Sequence, residues 1–298
     1  MTRRRKISAV LWLCVALACQ RATTDDDRDF QGTVQLGDTA RTYLLHVPDA
    51  ISTNAAAPLL LAFHGTGESG RAMQRHVGLD SLADARGLLV AYPDAAVGNW
   101  AEGCACSRAD LLGVNDTGFV RALVAEVAHR HAVDRGRVYA VGFSQGGLFV
   151  QRLACQMADL VTAVASVAAP MSAPVAERCR PVAPVGVLVM HGTLDDAFPY
   201  EGERRRERSV LGARETTDLW RLLNGCARDA SGSELPDRAA DGTRVLEEQW
   251  MGCRGGVEVV LYSVAGGRHA WSPSADVRTD ALVVDFLLRQ RRVVGDTR

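Results

Sequence analysis

The chain has 298 residues, of which 47% are hydrophobic and 23% are charged. This composition is typical of a globular protein, and the length is sufficient for one large core. The 34 basic and 35 acidic residues leave a formal net charge of -1, so no global positive field would attract a nucleic acid. No linker rich in proline, glycine, serine or charge divides the chain, which favours a single large domain.

The N-terminus has the pattern of an export signal. A basic segment at residues 2–6 precedes an apolar run at 7–18, which is shorter than the ~20 residues that a membrane-spanning helix needs. We therefore predict a signal peptide at residues 1–18, a short polar tether at 19–30 and a folded domain at 31–298.

The end of the apolar run is compatible with two forms of the exported protein, one anchored by a lipid and one secreted. Ala16-Leu17-Ala18-Cys19 resembles a bacterial lipoprotein box, in which the thiol of the cysteine takes a lipid. Alanine stands where that box prefers leucine. Lipid anchoring at Cys19 and simple secretion are therefore both retained as hypotheses, and either one places the protein outside the cytoplasm.

Six cysteines follow Cys19, an even number that suits a compartment where disulfides persist. Neighbours in sequence that bracket one loop each favour the pairs Cys155–Cys179 and Cys226–Cys253, but sequence alone does not fix them, because six cysteines allow about 15 pairings. The remaining pair, Cys104–Cys106, would close a strained ring, and its expected role is a third disulfide. A zinc site would want further ligands at a recognisable spacing, and the sequence has none nearby. We expect no metal and no organic cofactor.

The order of predicted elements indicates an α/β fold. A hairpin over 33–47, with its turn at Gly37-Asp38, precedes short apolar runs that alternate with helix-like stretches. Runs that are apolar on both faces are typical of parallel strands covered by helices on each side. We therefore predict a mostly parallel central sheet with helices on both faces. The predicted strands are 59–63, 88–92, 138–142, 161–167, 185–190 and 257–264, and the predicted helices are 71–86, 117–131, 145–157, 215–223 and 278–291.

Two further segments are expected to lie on the surface. Residues 202–214 are rich in charge and are predicted to be solvated, and residues 226–254 are predicted to form a polar excursion before the last strand. Asp116 precedes a predicted helix and is expected to cap it.

The strongest chemical motif is Gly142-Phe143-Ser144-Gln145-Gly146-Gly147, which stands between a predicted strand and a predicted helix. A serine at such a turn projects its hydroxyl above the sheet, and side chains two residues to either side would collide with the turn. Ser144 is therefore the predicted nucleophile. The alternative, a glycine-rich helix start that only packs tightly, is less favoured in this setting.

A serine hydroxyl needs a base, and histidine suits that task near neutral pH. Among seven histidines, His269 lies in a loop after the last predicted strand and before the final helix. The triad of α/β-hydrolases runs serine, acid, histidine in chain order, which makes His269 the predicted base. His64 and His191 each close an apolar run and are expected to fix loops.

The acid should lie between nucleophile and base, in a loop after a strand. Asp195 and Asp196 both meet that condition, and position alone does not separate them. Either would accept the Nδ1 proton of His269 and stabilise the imidazolium. Two backbone amides are expected to bind the developing oxyanion, namely those of Gln145 and Thr66.

At these residues the chain resembles the esterase and polyhydroxybutyrate depolymerase family, which also contains secreted feruloyl and acetyl-xylan esterases. The resemblance implies an α/β-hydrolase fold, with residues 31–298 as the catalytic domain. It further implies Asp195 as the acid, an oxyanion amide at Thr66 and a disulfide between Cys226 and Cys253. Arg268, where the family usually has glycine, is a departure that bears on substrate. The matching blocks are FHGTG (63–67), VNDTGF (114–119), VDRGRVY (133–139), GFSQGG (142–147), HGTLD (191–195) and GGRHAW (266–271).

The resemblance implies a serine carboxylic-ester hydrolase that acts through an acyl-enzyme. Its expected substrates are soluble or oligomeric feruloyl esters of plant polysaccharide or short hydroxyalkanoate esters. Trp100 and Trp271 are candidate aromatic contacts to substrate. Alternatives are an acetyl-xylan esterase, an acyltransferase or peptidase on the same triad, and a surface binding protein on a hydrolase scaffold. Membrane contact is expected only through a lipid at Cys19.

Overall fold

A computed structural model of the chain describes residues 29–49, 51, 55–205 and 209–292. The predicted signal peptide and the lipidation candidate Cys19 lie outside these residues. The tether was predicted to extend to residue 30, but its last two residues, Asp29 and Phe30, begin the first strand. Among the helices that the structure describes, none is long and apolar enough to cross a membrane.

Among the described residues, ten strands form one sheet, and two short antiparallel strands pair separately. The strands are β1 (Asp29–Leu36), β2 (Thr39–His46), β3 (Ala57–Phe63), β4 (Leu89–Pro93), β5 (Val133–Phe143), β6 (Ala163–Val167), β7 (Gly186–Gly192), β8 (Glu203–Arg204), β9 (Ser209–Val210), β10 (Ser231–Glu234), β11 (Arg244–Trp250) and β12 (Val259–Ala265). The sheet order is β1-β2-β4-β3-β5-β6-β7-β12-β11-β10. The six strands from β4 to β12 in this order run parallel, and antiparallel hairpins extend both edges.

Helices cover both faces of the sheet. They are α1 (Gly70–His76), α2 (Leu79–Arg86), α3 (Arg108–Leu111), α4 (Asp116–Arg130), α5 (Gln145–Gln156), α6 (Ala173–Arg178), α7 (Ala213–Asn224) and α8 (Thr279–Arg289). Phe119 of α4, Phe149 of α5 and Trp220 of α7 belong to one buried cluster, whereas Met73 of α1 and Phe286 of α8 belong to a second. The predicted fold, a mostly parallel sheet with helices on both faces, is confirmed.

Burial on both faces explains why the central strands have uninterrupted apolar sequences. Every residue of β3 is buried, and its side chains alternate between the two cores: Leu59, Leu61 and Phe63 pack in the first, Leu60 and Ala62 in the second. A strand buried on both faces needs apolar residues at consecutive positions, because each face excludes water. The uninterrupted run is thus a direct consequence of the double cover.

Two predicted segments differ from the structure. The single helix expected at 71–86 breaks at Val77, which has extended dihedrals, and the next residue, Gly78, precedes α2. A Cβ on Gly78 would lie 2.6 Å from Asp280 Oδ2, so the glycine leaves room for that side chain of α8. The polar excursion at 226–254 contains β10 and β11, which continue the sheet beyond β12. β10 is exposed along its whole length, so it lacks the apolar residues by which a strand is recognised in a sequence.

Three disulfides tie the described loops. Cys155 at the end of α5 is bonded to Cys179 after α6, and Cys226 after α7 is bonded to Cys253 after β11. The third bond joins Cys104 to Cys106 in the loop before α3. All three predicted pairings are present.

Candidate active site

The parallel strands bring the candidate residues to one edge of the sheet. Thr66 follows β3, Ser144 follows β5, Asp195 follows β7 and His269 follows β12. These four strands run in the same direction, so their carboxyl ends lie at the same edge. Ligands of open α/β sheets bind at that edge.

Ser144 lies in a strained turn between β5 and α5. Its φ of +54 and ψ of -124 are unusual for a residue with a side chain, and its amide donates to the Val167 carbonyl at 3.0 Å. A Cβ on Gly142 would lie 2.1 Å from the Gly146 carbonyl oxygen, and one on Gly146 would lie 2.2 Å from the Phe63 carbonyl oxygen. Both motif glycines are therefore required by close backbone contact.

His269 bridges Ser144 and Asp195. Its Nε2 lies 2.9 Å from Ser144 Oγ, and its Nδ1 lies 2.8 Å from Asp195 Oδ2. A carboxylate only accepts hydrogen bonds, so Nδ1 carries the proton and Nε2 is left to accept the serine proton. The structure thus brings the three predicted side chains into one hydrogen-bonded chain.

Asp195 is buried and held as a carboxylate. Its Oδ1 accepts the amides of Ala197 at 2.9 Å and Phe198 at 2.8 Å. Burial opposes ionisation, but the hydrogen bonds from His269 and the Phe198 amide outweigh it and lower the pKa of Asp195. The neighbouring Asp196 is exposed, so of the two aspartates only Asp195 faces His269.

His64 directly follows β3, and His191 is the penultimate residue of β7. His191 is fully buried, burial lowers its pKa, and its Nε2 donates to the Phe198 carbonyl at 2.7 Å. His64 Nε2 accepts the Ala95 amide at 3.1 Å, which leaves Nδ1 to donate to the Gly65 carbonyl at 2.7 Å. Both neutral rings therefore hold loop backbone, as the sequence predicted.

The amides of Thr66 and Gln145 flank Ser144. A Cβ on Gly65 would lie 3.4 Å from Ser144 Cβ, which shows how closely the loop after β3 approaches. Thr66 Oγ1 donates to Gln145 Oε1 at 3.3 Å, and Glu68 Oε2 accepts the Gly65 amide at 3.1 Å. In the described part of the chain neither the Thr66 nor the Gln145 amide has an acceptor. Both N–H groups are thus available to a ligand.

The prediction that Trp100 contacts substrate is wrong. Its ring is completely buried, stacked on Phe149 at 5.3 Å and edge-on to Phe63 at 5.1 Å. The backbone of Trp100 is bracketed by the side chain of Gln145, whose Oε1 accepts the Trp100 amide at 3.1 Å and whose Nε2 donates to its carbonyl at 3.3 Å. Trp271 is 5% exposed and packs edge-on against Phe143, so it too offers little surface to a ligand.

The cap predicted at Asp116 is also wrong. Asn115 caps α4, since its Oδ1 accepts the Gly118 amide at 2.9 Å. Asp116 is buried instead, with Oδ1 2.7 Å from Arg41 and Oδ2 accepting the Ala101 amide at 2.7 Å. This ion pair anchors the segment that follows Trp100. The sequence alone carried no sign of the partner, which is 75 positions away in the chain.

Sequence comparisons identify the family and relatives of the chain. The sequence profile of the Esterase PHB depolymerase family matches residues 41–196. NocK of Nocardia uniformis subsp. tsuyamanensis is 32% identical over 243 residues, which cover 78% of this chain and 70% of the relative. Feruloyl esterase B of Piromyces equi is 30% identical, over 77% of this chain and 42% of the relative's length.

Solved structures share the architecture. An acetyl xylan esterase from Aspergillus awamori aligns with a TM-score of 0.60 at 13% identity, covering 87% of this chain and 98% of that one. The feruloyl esterase module from Clostridium thermocellum aligns with a TM-score of 0.57 at 15% identity, covering 87% and 88%. At such identities the likeness establishes the fold. The chain therefore belongs to the Esterase PHB depolymerase family and is a serine esterase with the α/β-hydrolase fold.

Proposed function

We propose that the chain hydrolyses carboxylic esters through an acyl-enzyme on Ser144, with His269 as general base and Asp195 as the orienting acid. One observation carries the proposal: His269 lies within hydrogen-bond distance of both Ser144 Oγ and the buried, ionised Asp195. The same imidazole can take the serine proton and return it to the leaving alcohol.

The first half-reaction starts at Ser144 Oγ. As Oγ attacks the ester carbonyl, its proton moves to His269 Nε2, and Asp195 stabilises the imidazolium that forms. The carbonyl oxygen becomes an oxyanion, which the free amides of Thr66 and Gln145 would bind. His269 then protonates the departing alkoxide, and the acyl group stays on Ser144.

The second half-reaction releases the acid. Water takes the place of the alcohol, and His269 Nε2 removes its proton as it attacks the acyl carbonyl. The oxyanion forms at the same two amides, so one arrangement serves both halves. Removal of one oxyanion donor costs about 10²–10³-fold in turnover in a studied protease. We expect the Thr66 and Gln145 amides each to contribute to turnover to a similar extent.

The exposure of the site supports esters with a large alcohol part. Thr66 is exposed, the His269 side chain is 20% exposed, and Leu194 beside the acid is 55% exposed. An alcohol group can therefore extend into solvent without being enclosed. We infer soluble or oligomeric substrates, with feruloyl esters of plant polysaccharide first and acetyl or short hydroxyalkanoyl esters next. The names of the relatives support the same classes.

A substrate panel tests this ranking. Purified enzyme is assayed on methyl ferulate, acetylated xylan and hydroxybutyrate oligomers, with Ser144→Ala as the matched inactive control. The highest kcat/KM is expected on methyl ferulate. A higher value on acetylated xylan would transfer the assignment to an acetyl-xylan esterase, and failure on all three would refute the proposed substrate classes.

An acyltransferase or peptidase on the same triad is the alternative chemistry, because the acyl-enzyme leaves the acceptor open. Comparison of p-nitrophenyl esters with peptide p-nitroanilides separates them. We expect ester turnover without peptide cleavage, and free acid as the product. Transfer of the acyl group to added alcohol in preference to water would favour the acyltransferase.

We further infer that the protein acts outside the cytoplasm. Three disulfides in the described residues suit an oxidising compartment. The export signal at residues 1–18 supports the same location, with Cys19 as a candidate lipid anchor. Cell fractionation followed by intact-mass analysis tests both ideas: a diacylglyceryl group on Cys19 indicates tethering, an unmodified mature N-terminus indicates release, and retention in the cytoplasm would refute export.

A further inference from the structure

The ring closed by Cys104 and Cys106 is poorly suited to stabilising the fold. A disulfide stabilises largely by restricting the unfolded chain, and the effect grows with the number of residues enclosed. Cys104 and Cys106 are 2 positions apart, whereas the partners of the other two disulfides are 24 and 27 positions apart. Little chain entropy is therefore removed by this bond.

The residue that the ring encloses has a strained backbone. Ala105, the residue enclosed, has a φ of +58, in the left-handed region that residues with a Cβ avoid. Opening the ring lets Ala105 return to the extended or right-handed regions. Local strain therefore favours the reduced form of this pair.

The surroundings of the ring suit thiol chemistry. Cys104 and Cys106 are both partly exposed, whereas each of the other two disulfides has at least one buried cysteine. Cys104 Sγ accepts the amides of Cys106 at 3.0 Å and Ser107 at 3.1 Å. Amides directed at a sulfur stabilise a thiolate, and a stabilised thiolate leaves faster when its disulfide is attacked.

Carboxylates are in place for the reduced state. Asp110 Oδ2 lies 3.3 Å from Cys104 Sγ, and Glu102 Oε1 lies 4.0 Å from Cys106 Sγ. Each carboxylate can accept a hydrogen bond from the thiol that reduction forms. Arg152 lies 3.6 Å from Asp110 and offsets its charge. Both oxidation states thus have hydrogen-bond partners within one loop.

Three hydrogen bonds connect the ring to the active site. The Ser107 amide donates to Cys104 Sγ, and the Ser107 hydroxyl has two acceptors in range, the Trp100 carbonyl at 3.1 Å and Asp110 Oδ2 at 3.0 Å. Gln145 Nε2 donates to the same carbonyl at 3.3 Å. The backbone amide of Gln145 is one of the two proposed oxyanion donors, so a shift of Ser107 reaches that donor through Trp100.

We propose that Cys104–Cys106 is a thiol–disulfide exchange site for an external dithiol, and that its reduction lowers ester hydrolysis. One thiolate of the dithiol attacks Cys106 Sγ, the bond to Cys104 breaks, and its electron pair leaves on Cys104 Sγ, which takes a proton. The second thiol of the dithiol then displaces Cys106, so two electrons and two protons pass to the protein. The effect on hydrolysis rests on the proposed function, whereas reduction itself does not.

The test is a redox titration of the whole protein. The enzyme is equilibrated in graded ratios of reduced to oxidised dithiothreitol, free thiols are trapped with N-ethylmaleimide, and labelled cysteines are mapped by mass spectrometry. Cys104 and Cys106 should be labelled at a ratio of reduced to oxidised dithiothreitol at least about tenfold lower than the other two disulfides require. A tenfold change in this ratio corresponds to a difference in reduction potential of about 30 mV for a two-electron couple. kcat/KM on p-nitrophenyl acetate should fall about fivefold or more over the same range.

Two variants serve as controls. The double variant Cys104→Ser with Cys106→Ser should have the activity of the reduced parent and no further response to the dithiol in this range. Ala105→Gly keeps the disulfide, and glycine adopts a positive φ without strain. The midpoint for reduction of Cys104–Cys106 should therefore move to a ratio of reduced to oxidised dithiothreitol about tenfold higher than in the parent.

Three results would overturn the proposal: simultaneous labelling of all three disulfides, an unchanged midpoint in Ala105→Gly, or constant activity while only Cys104 and Cys106 are labelled. The labelling pattern does not depend on turnover. Loss of hydrolysis in every sample, with labelling as expected, would therefore count against the proposed function and not against the exchange site.

Discussion

Replacement of Asp116 by alanine should destabilise the fold strongly, because it breaks a buried ion pair from one side. Asp116 Oδ1 lies 2.7 Å from Arg41, and the two side chains are 0% and 4% exposed. The variant leaves a buried guanidinium without its counter-ion and the Ala101 amide without its acceptor. Loss of one partner of a buried pair costs about 3–5 kcal/mol.

That cost is a large part of a total stability of about 5–15 kcal/mol. For a domain of this size it corresponds to a fall in Tm of roughly 6–20 °C, which scanning calorimetry under non-reducing conditions would measure. The matched control is Asp159→Ala, which removes an exposed partner of Arg121 and should cost about 1 kcal/mol or less. Equal losses in Asp116→Ala and the control would refute the reasoning.

Three further predictions concern single side chains. Asp195→Asn should lower kcat on p-nitrophenyl esters by about 10⁴-fold by favouring the wrong histidine tautomer, whereas Asp196→Asn should change it little; the reverse ranking would transfer the acid role. Burial alone would lower the pKa of His46, but three surrounding aspartates outweigh it and raise the pKa. The resulting stabilisation is complete below the unfolded pKa of about 6.5 and is lost as pH rises through the folded pKa. Chemical denaturation should therefore show that the free energy of unfolding falls more steeply above pH ~6.5 in the parent than in His46→Gln. Equal slopes in the two proteins would contradict this. Cys253→Ser opens a disulfide worth about 2–4 kcal/mol, so it should lose activity at a temperature that the parent tolerates; trapping Cys226 and Cys253 as free thiols in the parent would contradict this.

The sheet and the order of the site residues could be predicted because their signals are local. β3 is apolar at every position since both of its faces are covered. Gly142 is required by backbone contacts within the turn that holds Ser144, and Gly146 by the backbone at the end of β3. Each of these constraints fixes the residue type at neighbouring positions of the chain, so each leaves a pattern in the sequence.

The errors fall where distant residues decide the structure. Trp100 was expected at the substrate, but its burial depends on Phe149 in a helix almost fifty positions later. Asp116 is predicted at a helix cap, but its partner Arg41 lies 75 positions away in the chain. His46 has no motif around it, and its acidic neighbours come from β1 and α2. Contacts of this kind leave no pattern in the composition of the chain or in the spacing of its residues.

Covalent labelling of Ser144 tests the central claim most directly. The mature protein is treated with a fluorophosphonate, and the adduct is counted by intact mass and located by peptide mapping. We predict one adduct per chain, on Ser144, with ester hydrolysis lost in proportion to labelling, and no adduct on Ser144→Ala. An adduct on another serine, or hydrolysis by Ser144→Ala above background, would contradict the assignment of the nucleophile.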